Sequence, residues 1–211
     1  MRNASTSCRL ILLLFACSIV ALSQTVNSDD QDANGVASST MYARALASRE
    51  PAVRQEAAEA LARLAAVDQR KLVEGYHVQE KDKKVRLALD WALYRMGKSD
   101  SLYRIVRELD SSRHDQAVGY LSKLESPALL HPFLKEKDVP AKIVAGVIEA
   151  LGQLGDSQSL EVINPYRESF APGVSSAAEA ATDLIEKRLA AVEPAQPSRP
   201  RTVNTTQQDP P

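Results

Sequence analysis

The chain has 211 residues, with 26 Lys or Arg against 27 Asp or Glu, and this formal charge of −1 excludes a strongly basic nucleic-acid binder. Hydrophobic residues make up 44 % of it and glycine only 8 residues, which allows an ordinary apolar core and excludes a collagen-like repeat. Two cysteines are too few for a disulfide scaffold.

The first predicted element is a secretory signal peptide over residues 1–23. Arg2 and Arg9 precede an apolar run of about a dozen residues, and the small residues Ala21 and Ser23 follow as a cleavage site before Gln24. The run is shorter than the roughly 20 apolar residues that a membrane span needs. The sequence therefore predicts an exported protein, periplasmic or extracellular, with no membrane span.

Both cysteines, Cys8 and Cys17, lie inside this predicted signal. Cleavage before Gln24 would leave a mature chain without a thiol, and so without a disulfide or a Cys-ligated metal. Residues 14–17 also resemble a bacterial lipoprotein box, which would place a lipid anchor at Cys17. The bulky Phe15 and the apolar run that continues past Cys17 fit this alternative poorly.

Two polar segments flank the centre of the chain. Residues 24–39 are predicted to be a disordered linker, and residues 191–211, rich in Pro, Gln and Thr, a disordered tail. Neither segment has enough apolar surface to offset the entropy lost on ordering.

Residues 40–190 have the apolar periodicity of helices and repeat about every 30 residues around an apolar anchor position. The anchors, spaced 32, 28, 30 and 30 residues apart, are Leu61, Leu93, Leu121, Leu151 and Ala181. Positions four before and three after an anchor share its stripe on a helix, so they are predicted to be buried with it. The earlier position holds Ala57, Leu89, Ala117, Val147 and Ala177, and the later one Leu64, Met96, Leu124, Leu154 and Leu184.

A second, shorter helix is predicted in each unit. Nine positions after the anchor it has the apolar residues Leu102, Leu130 and Leu160. Twelve positions after the anchor it has Val73, Ile105, Phe133 and Ile163. Gly97 and Gly155 are predicted to end helices, and Asp156 or Ser99 to cap the next ones. Residues 40–48 and 175–190 are predicted to close the two ends of the array, because one helix pair of this length cannot bury its apolar faces alone.

The segments PAVRQEAAEALARL (51–64) and IEALGQLGD (148–156) resemble short HEAT-like repeats, the type first associated with phycobilisome lyases. The resemblance covers roughly residues 40–190 and implies an all-α fold, a right-handed α-solenoid of about five stacked helix pairs. An arginine is usual in this family seven residues before the anchor. Arg54 and Arg86 match it, but His114, Val144 and Val174 do not. The pattern specifies packing, so it implies architecture and little about function.

The residues show no spacing typical of catalysis or of metal binding. The histidines fall in three different units, as His77, His114 and His131. Zinc-type histidine pairs and glycine-rich phosphate loops are missing from the sequence. Glu56 and Glu59 are predicted to form a solvated charged face with Arg54 and Arg63. We therefore expect neither an enzyme nor a bound metal or cofactor.

One position of the repeat that is predicted to face solvent has a different type of residue in the second unit. Two residues before the anchor, three units have glutamate and one glycine, but the second unit has Trp91. This position lies about 180° from the buried stripe, so Trp91 is predicted to be exposed, with Lys84 and Arg95 on the same helix face. Residues 81–107 have eight basic against three acidic residues. Tryptophan beside cations is typical of binding hot spots, although Trp91 could instead pack beneath a neighbouring helix.

The preferred interpretation is an exported, non-catalytic scaffold that binds a protein or peptide partner, not nucleic acid, through Lys84, Trp91 and Arg95. A chromophore-lyase-like or other enzyme-associated HEAT-repeat protein is one alternative, which the family name suggests. The export signal and the missing mature cysteine argue against it. A lipid-anchored envelope scaffold, held through Cys17, is the other alternative.

Overall fold

The computed structural model describes residues 28–136 and 138–192, with side chains over residues 37–136 and 138–191. This part of the chain is all-α, with ten α-helices joined by short turns and no strand. The helices are α1 (Ser28–Ala45), α2 (Pro51–Arg63), α3 (Arg70–Gln79), α4 (Lys83–Arg95), α5 (Ser101–Arg107), α6 (His114–Leu121), α7 (His131–Lys135), α8 (Ala141–Leu154), α9 (Ser157–Ile163) and α10 (Pro172–Val192).

The predicted signal peptide lies outside the described residues, and so does the predicted tail from residue 193 onward. Helix α1 begins at Ser28, so most of the segment that composition assigned to a disordered linker is helical. Within the described ranges, no helix combines the length and the apolarity that crossing a membrane requires.

The five predicted anchors are confirmed as buried core residues. They lie on α2, α4, α6, α8 and α10, and none is more than 2 % exposed. All five residues four positions earlier are buried as well. The position three after the anchor follows the prediction less well, because Leu64 is 42 % and Leu184 50 % exposed. Leu64 follows the last residue of α2, where the chain turns away, and Leu184 lies on the last described helix, which has a long helix on one side only.

The shorter helices α3, α5, α7 and α9 bury most of the residues predicted for them. Nine positions after an anchor, Leu102 and Leu130 are buried but Leu160 is only half-buried. The four residues that follow an anchor by twelve positions are each at most 5 % exposed: Val73, Ile105, Phe133 and Ile163. The five helices that carry an anchor are called the long helices below, although α6 has only eight residues and α3 has ten. They pack on one another, α2 on α4, α6 on α8, and α8 on α10. Each short helix fills the space beside a long one, as α3 and α5 do beside α4.

The predicted helix-capping residues are confirmed in part. Gly97 has φ +92° and ends α4 in the left-handed conformation, as predicted. Asp156 starts α9 by accepting the Ser159 backbone N–H at 2.9 Å, as predicted. Ser99 does not cap α5, which begins directly after Asp100.

Two glycines near the end of α8 are required by close packing. A Cβ at Gly152 would lie 3.0 Å from the Ala181 Cα, so α8 and α10 approach closely where the fifth anchor is alanine. Gly155 ends α8 as predicted, and it does so with a negative φ. A Cβ at Gly155 would lie 2.5 Å from the Leu151 carbonyl oxygen, which explains glycine at this position without a positive φ.

A basic residue near the start of a long helix donates to a backbone carbonyl of the preceding segment in three successive units. Arg54 donates to the Ser48 carbonyl, Arg86 to the Glu80 carbonyl and His114 to the Leu109 carbonyl. The nitrogen-to-oxygen distances are 2.7–2.9 Å. His114, which departs from the family arginine, therefore makes the same kind of contact. These bonds satisfy carbonyls that a helix or turn leaves without partners.

Arg188 makes a comparable contact at the far end of the chain. It extends from α10 and donates to the carbonyls of Gly152 at 3.2 Å and Gln153 at 2.7 Å. It also donates to the Gly155 carbonyl, so one guanidinium caps the C-terminal end of α8. A cation at this end is favoured by the helix dipole as well.

We expect Arg188→Met to lower the free energy of unfolding by about 1–3 kcal/mol, because it keeps the apolar stem and removes three charged hydrogen bonds. Urea denaturation measures the difference. Lys187→Met is the matched control, since Lys187 is exposed and has no ion pair or hydrogen bond among the described residues, and it should change stability by at most about 0.5 kcal/mol. Equal effects of the two substitutions would contradict the capping role.

His114 gives the fold a pH dependence. Its Nδ1 faces the Leu109 carbonyl at 2.8 Å and its Nε2 the Glu149 carboxylate at 2.8 Å, and both oxygens need a donor. Burial of the ring opposes protonation, but the hydrogen bonds to Leu109 and Glu149 outweigh it and raise the pKa of His114. The stabilisation is therefore full below the unfolded value of about 6.5 and is lost as the pH rises through the folded pKa.

We accordingly expect His114→Gln to lower the free energy of unfolding more at mildly acidic than at mildly alkaline pH. Urea denaturation of both proteins across this range measures the difference. An NMR titration of the His114 ring reports its folded pKa directly. A folded pKa at or below the ordinary value, or a stability difference that grows with pH, would contradict the imidazolium bridge.

Candidate interaction surface

Trp91 is not exposed as its position in the repeat predicted. Only 6 % of the residue is accessible, so the prediction of an exposed indole is wrong and the alternative, packing beneath neighbours, is confirmed. The physical reason is that α4 packs against α2, α3, α5 and α6 and buries eight of its thirteen residues. A helix with neighbours on several sides has no single solvent face, so the angle from the anchor does not decide exposure.

Trp91 is enclosed by two tyrosines. Its ring stacks on that of Tyr94, with centroids 5.7 Å apart, and on that of Tyr120 from α6, with centroids 5.5 Å apart and planes 4° apart. Arg95 places its guanidinium carbon 5.8 Å from the Trp91 ring centroid. Trp91 and Arg95 are therefore in contact, as their spacing on α4 predicted.

Tyr120 connects three long helices. It lies on α6, stacks over Trp91 of α4, and donates its hydroxyl to Glu59 of α2 at 2.7 Å. Burial raises the pKa of the Tyr120 phenol far above its ordinary value, a hydrogen bond from Gln116 lowers it, and the bond to Glu59 raises it further, so the group stays protonated and donates. Glu59 was predicted to lie on a solvated charged face, and this contact corrects that prediction.

Lys84 lies near this cluster through its backbone. Its carbonyl oxygen accepts from Gln116 Nε2 at 3.0 Å, and the same amide group donates to the Tyr120 hydroxyl at 2.9 Å. The Lys84 residue is exposed, and it does not line the cleft beside Trp91. The structure thus brings Trp91 and Arg95 together and places Lys84 at the edge of the same network.

A cleft of about 320 Å³ opens beside Trp91 and Tyr120. Arg63, Arg95 and Lys123 line it together with Ala62 and Glu59. The Lys123 ammonium lies 5.9 Å from the Tyr120 ring centroid, as Arg95 lies over Trp91. Two aromatic rings and three cations thus form one surface that α2, α4 and the C-terminal end of α6 contribute jointly.

The sequence prediction missed Arg63, Lys123, Glu59 and Tyr120 as parts of this surface. Arg63, Arg95 and Lys123 each stand two residues after an anchor, in the first, second and third units. This recurrence of a basic residue at one repeat position is the sequence signal that identifies the three cations. The contact between Glu59 and Tyr120 spans 61 residues, and no local spacing indicates it.

The three histidines contact polar partners in separate places. His77 Nε2 lies 3.0 Å from the buried Asp90 carboxylate, which also accepts from Arg104 Nε at 2.5 Å. His114 bridges Leu109 and Glu149 as described above. Among the described residues, no group of three or more His, Cys, Asp or Glu side chains is placed to hold a metal ion.

His131, Ser159 and Asp156 form a Ser–His–Asp group that sequence spacing did not indicate. His131 Nε2 lies 3.2 Å from the Ser159 hydroxyl, but this hydroxyl donates to Asp156 at 3.0 Å. In a hydrolytic triad the serine donates to histidine, and the carboxylate orients that histidine. Ser159 is also fully buried and forms the capping box of α9. This arrangement stabilises a helix start and lacks the geometry of an activated nucleophile.

We expect Trp91→Ala to lower the free energy of unfolding by about 3–5 kcal/mol, the usual cost of deleting a large buried aromatic side chain. Urea denaturation followed by circular dichroism measures it without the lost tryptophan signal. Phe170→Ala serves as control, because Phe170 is fully exposed, and we expect a change within about 0.5 kcal/mol. A loss below about 1 kcal/mol for Trp91→Ala would contradict the enclosed position of the indole.

Comparison of the chain with models of known protein families and with curated proteins found no match to either.

Proposed function

We propose that this protein is an exported, non-catalytic scaffold of HEAT-like repeats, arranged as a right-handed α-solenoid, that binds another protein or a peptide. The observation that carries the proposal is the surface beside Trp91, where three successive long helices contribute aromatic rings and cations to one cleft. Rigid helical arrays with such continuous surfaces are suited to binding extended partners.

The regular burial of the chain supports the repeat architecture in this proposal. Anchors spaced about 30 residues apart are buried on alternate helices, and long helices pack on one another in chain order. The repeated basic contact to a preceding carbonyl, made by Arg54, Arg86 and His114, also links successive units in the same way. Together these features match the packing that the HEAT-like resemblance implies.

The structure changes the role that the sequence gave to Trp91 within the proposed site. Because the indole is only 6 % exposed and stacks on two tyrosines, a partner would not stack on it. Trp91 would instead fix the position of Arg95, while Arg95 and the exposed Lys84 would contact the partner. This arrangement fits interfaces in which a rigid aromatic group supports a cationic contact.

The proposal of export rests on residues 1–23, whose sequence has the features of a secretory signal. A partner should therefore be sought in the periplasmic or extracellular fraction.

We expect Lys84→Ala combined with Arg95→Ala to reduce capture of the partner about tenfold. Loss of one well-placed interface contact costs more than about 1 kcal/mol, and about 1.4 kcal/mol corresponds to tenfold in affinity. Affinity capture from the exported fraction of expressing cells, followed by quantitative mass spectrometry, measures recovery for wild type and variant in parallel.

Arg167→Ala combined with Lys187→Ala removes the same charge from exposed positions outside this surface and should leave recovery unchanged. Circular dichroism confirms that both variants fold. If wild type enriches no protein, or if the two double variants recover every protein equally, the proposed binding surface is wrong.

A further inference from the structure

The cations of the cleft follow the repeat. Arg63, Arg95 and Lys123 occupy the same position, two residues after the anchor, in three successive units, and all three line one cleft. Neighbouring packed helices lie about 8–10 Å apart, so equivalent residues on them form a row with about that spacing across the helix axes. We call Arg63, Arg95 and Lys123 the cation row.

The cation row is poorly neutralised within the chain. Arg63 and Lys123 are exposed, and neither forms an ion pair with any described residue. Arg95 pairs with Glu125 at 3.1 Å, but the Glu125 side chain is 80 % exposed, so solvent screens this pair. The row therefore presents positive charge above the buried Trp91 and Tyr120 rings.

We propose that the cation row binds an extended acidic segment of a partner protein, lying across α2, α4 and α6. In the polyproline II conformation an extended chain advances about 3.1 Å per residue with three residues per turn, so carboxylates three residues apart lie on the same side of the segment with a spacing of about 9 Å. The inference rests on the proposed function and deepens it, because it names the chemistry of the partner: Asp or Glu at every third position of an extended peptide.

The cleft favours a peptide over the phosphodiester backbone of a nucleic acid. Single-stranded nucleic acids bind by stacking bases on free aromatic faces, but Trp91 is covered by two tyrosines, and both Trp91 and Tyr120 are at most 6 % exposed. Glu59 Oε1 accepts from Tyr120 and Gln55, whereas Oε2 has no hydrogen bond with any described residue. A peptide can donate a backbone N–H to Oε2, which a phosphodiester cannot.

The repeat also limits the length of the segment. The position of the cation row is occupied by Gln153 in the fourth unit and by Asp183 in the fifth. A neutral residue followed by an acidic one gives no further attraction for carboxylates. Three acidic residues therefore suffice to occupy the row, in agreement with the small volume of the cleft.

The test uses the full chain and a fluorescein-labelled peptide with the core sequence Glu-Gly-Ser-Glu-Gly-Ser-Glu, measured by fluorescence anisotropy at low ionic strength. A second peptide of the same composition groups its three glutamates at one end, and a third replaces glutamate by glutamine. Oligo-deoxythymidine of equal charge is the nucleic-acid probe. We expect the spaced peptide to bind tightest and added salt to weaken it, because the contacts are charged and exposed.

Arg63→Gln combined with Lys123→Gln should weaken binding of the spaced peptide about five- to tenfold, given the modest contribution of each exposed ion pair. Arg167→Gln combined with Lys187→Gln removes the same charge outside the cleft and should leave the affinity within about twofold of wild type, because distant surface charges are largely screened. Circular dichroism establishes that both variants fold.

No binding of the spaced peptide, equal binding of the spaced and grouped peptides, or equal losses in the two double variants would each overturn the inference. Tighter binding of oligo-deoxythymidine through the cation row would overturn it in favour of a nucleic-acid ligand. These variants differ from those that test the proposed function. Partner capture that depends on Lys84 and Arg95, without binding of the peptide, would retain the scaffold and reject the acidic segment.

Discussion

The fold depends on helices that are too short to exist alone. Helix α7 has five residues, α5 and α9 seven and α6 eight, whereas isolated helices shorter than about 12–15 residues are marginal in water. Their stability must come from side chains buried between neighbours. Leu121 of α6 and Ile163 of α9 are completely enclosed, although the helices that carry them have only about two turns. Packing in chain order is therefore a condition for helix formation in this part of the chain.

Cationic side chains provide the second link between successive segments. The ends of helices and turns leave carbonyls without intrahelical partners, and Arg54, Arg86, His114 and Arg188 donate to such carbonyls from another helix. Three of these residues are arginines, but His114 makes the contact as an imidazolium. Because an imidazolium loses its proton at a much lower pH than a guanidinium, the junction between α6 and the preceding turn depends on pH in a way that the arginine junctions do not.

Sequence periodicity predicted the helices and the buried anchors because burial along a helix depends on residues three and four apart. It failed at Trp91, since a helical wheel describes one buried face and α4 has neighbours on several sides. It also failed at Leu64 and Leu184, where the chain turns or the array ends. Within the candidate site, Trp91 and Arg95 could be paired from their spacing. The bond between Tyr120 and Glu59 could not, because it joins units that are not adjacent in sequence.

That bond has a consequence for how the array opens. In arrays whose units touch only their nearest neighbours, a terminal unit can fray without disturbing the others. Here the first unit holds the phenol of the third through Glu59, and the indole of the second lies beneath the same ring. Detaching the first unit would break a next-nearest-neighbour link and loosen the cover of Trp91. The three N-terminal units are thus linked beyond nearest neighbours, and opening the first of them would also disturb the cleft that they share.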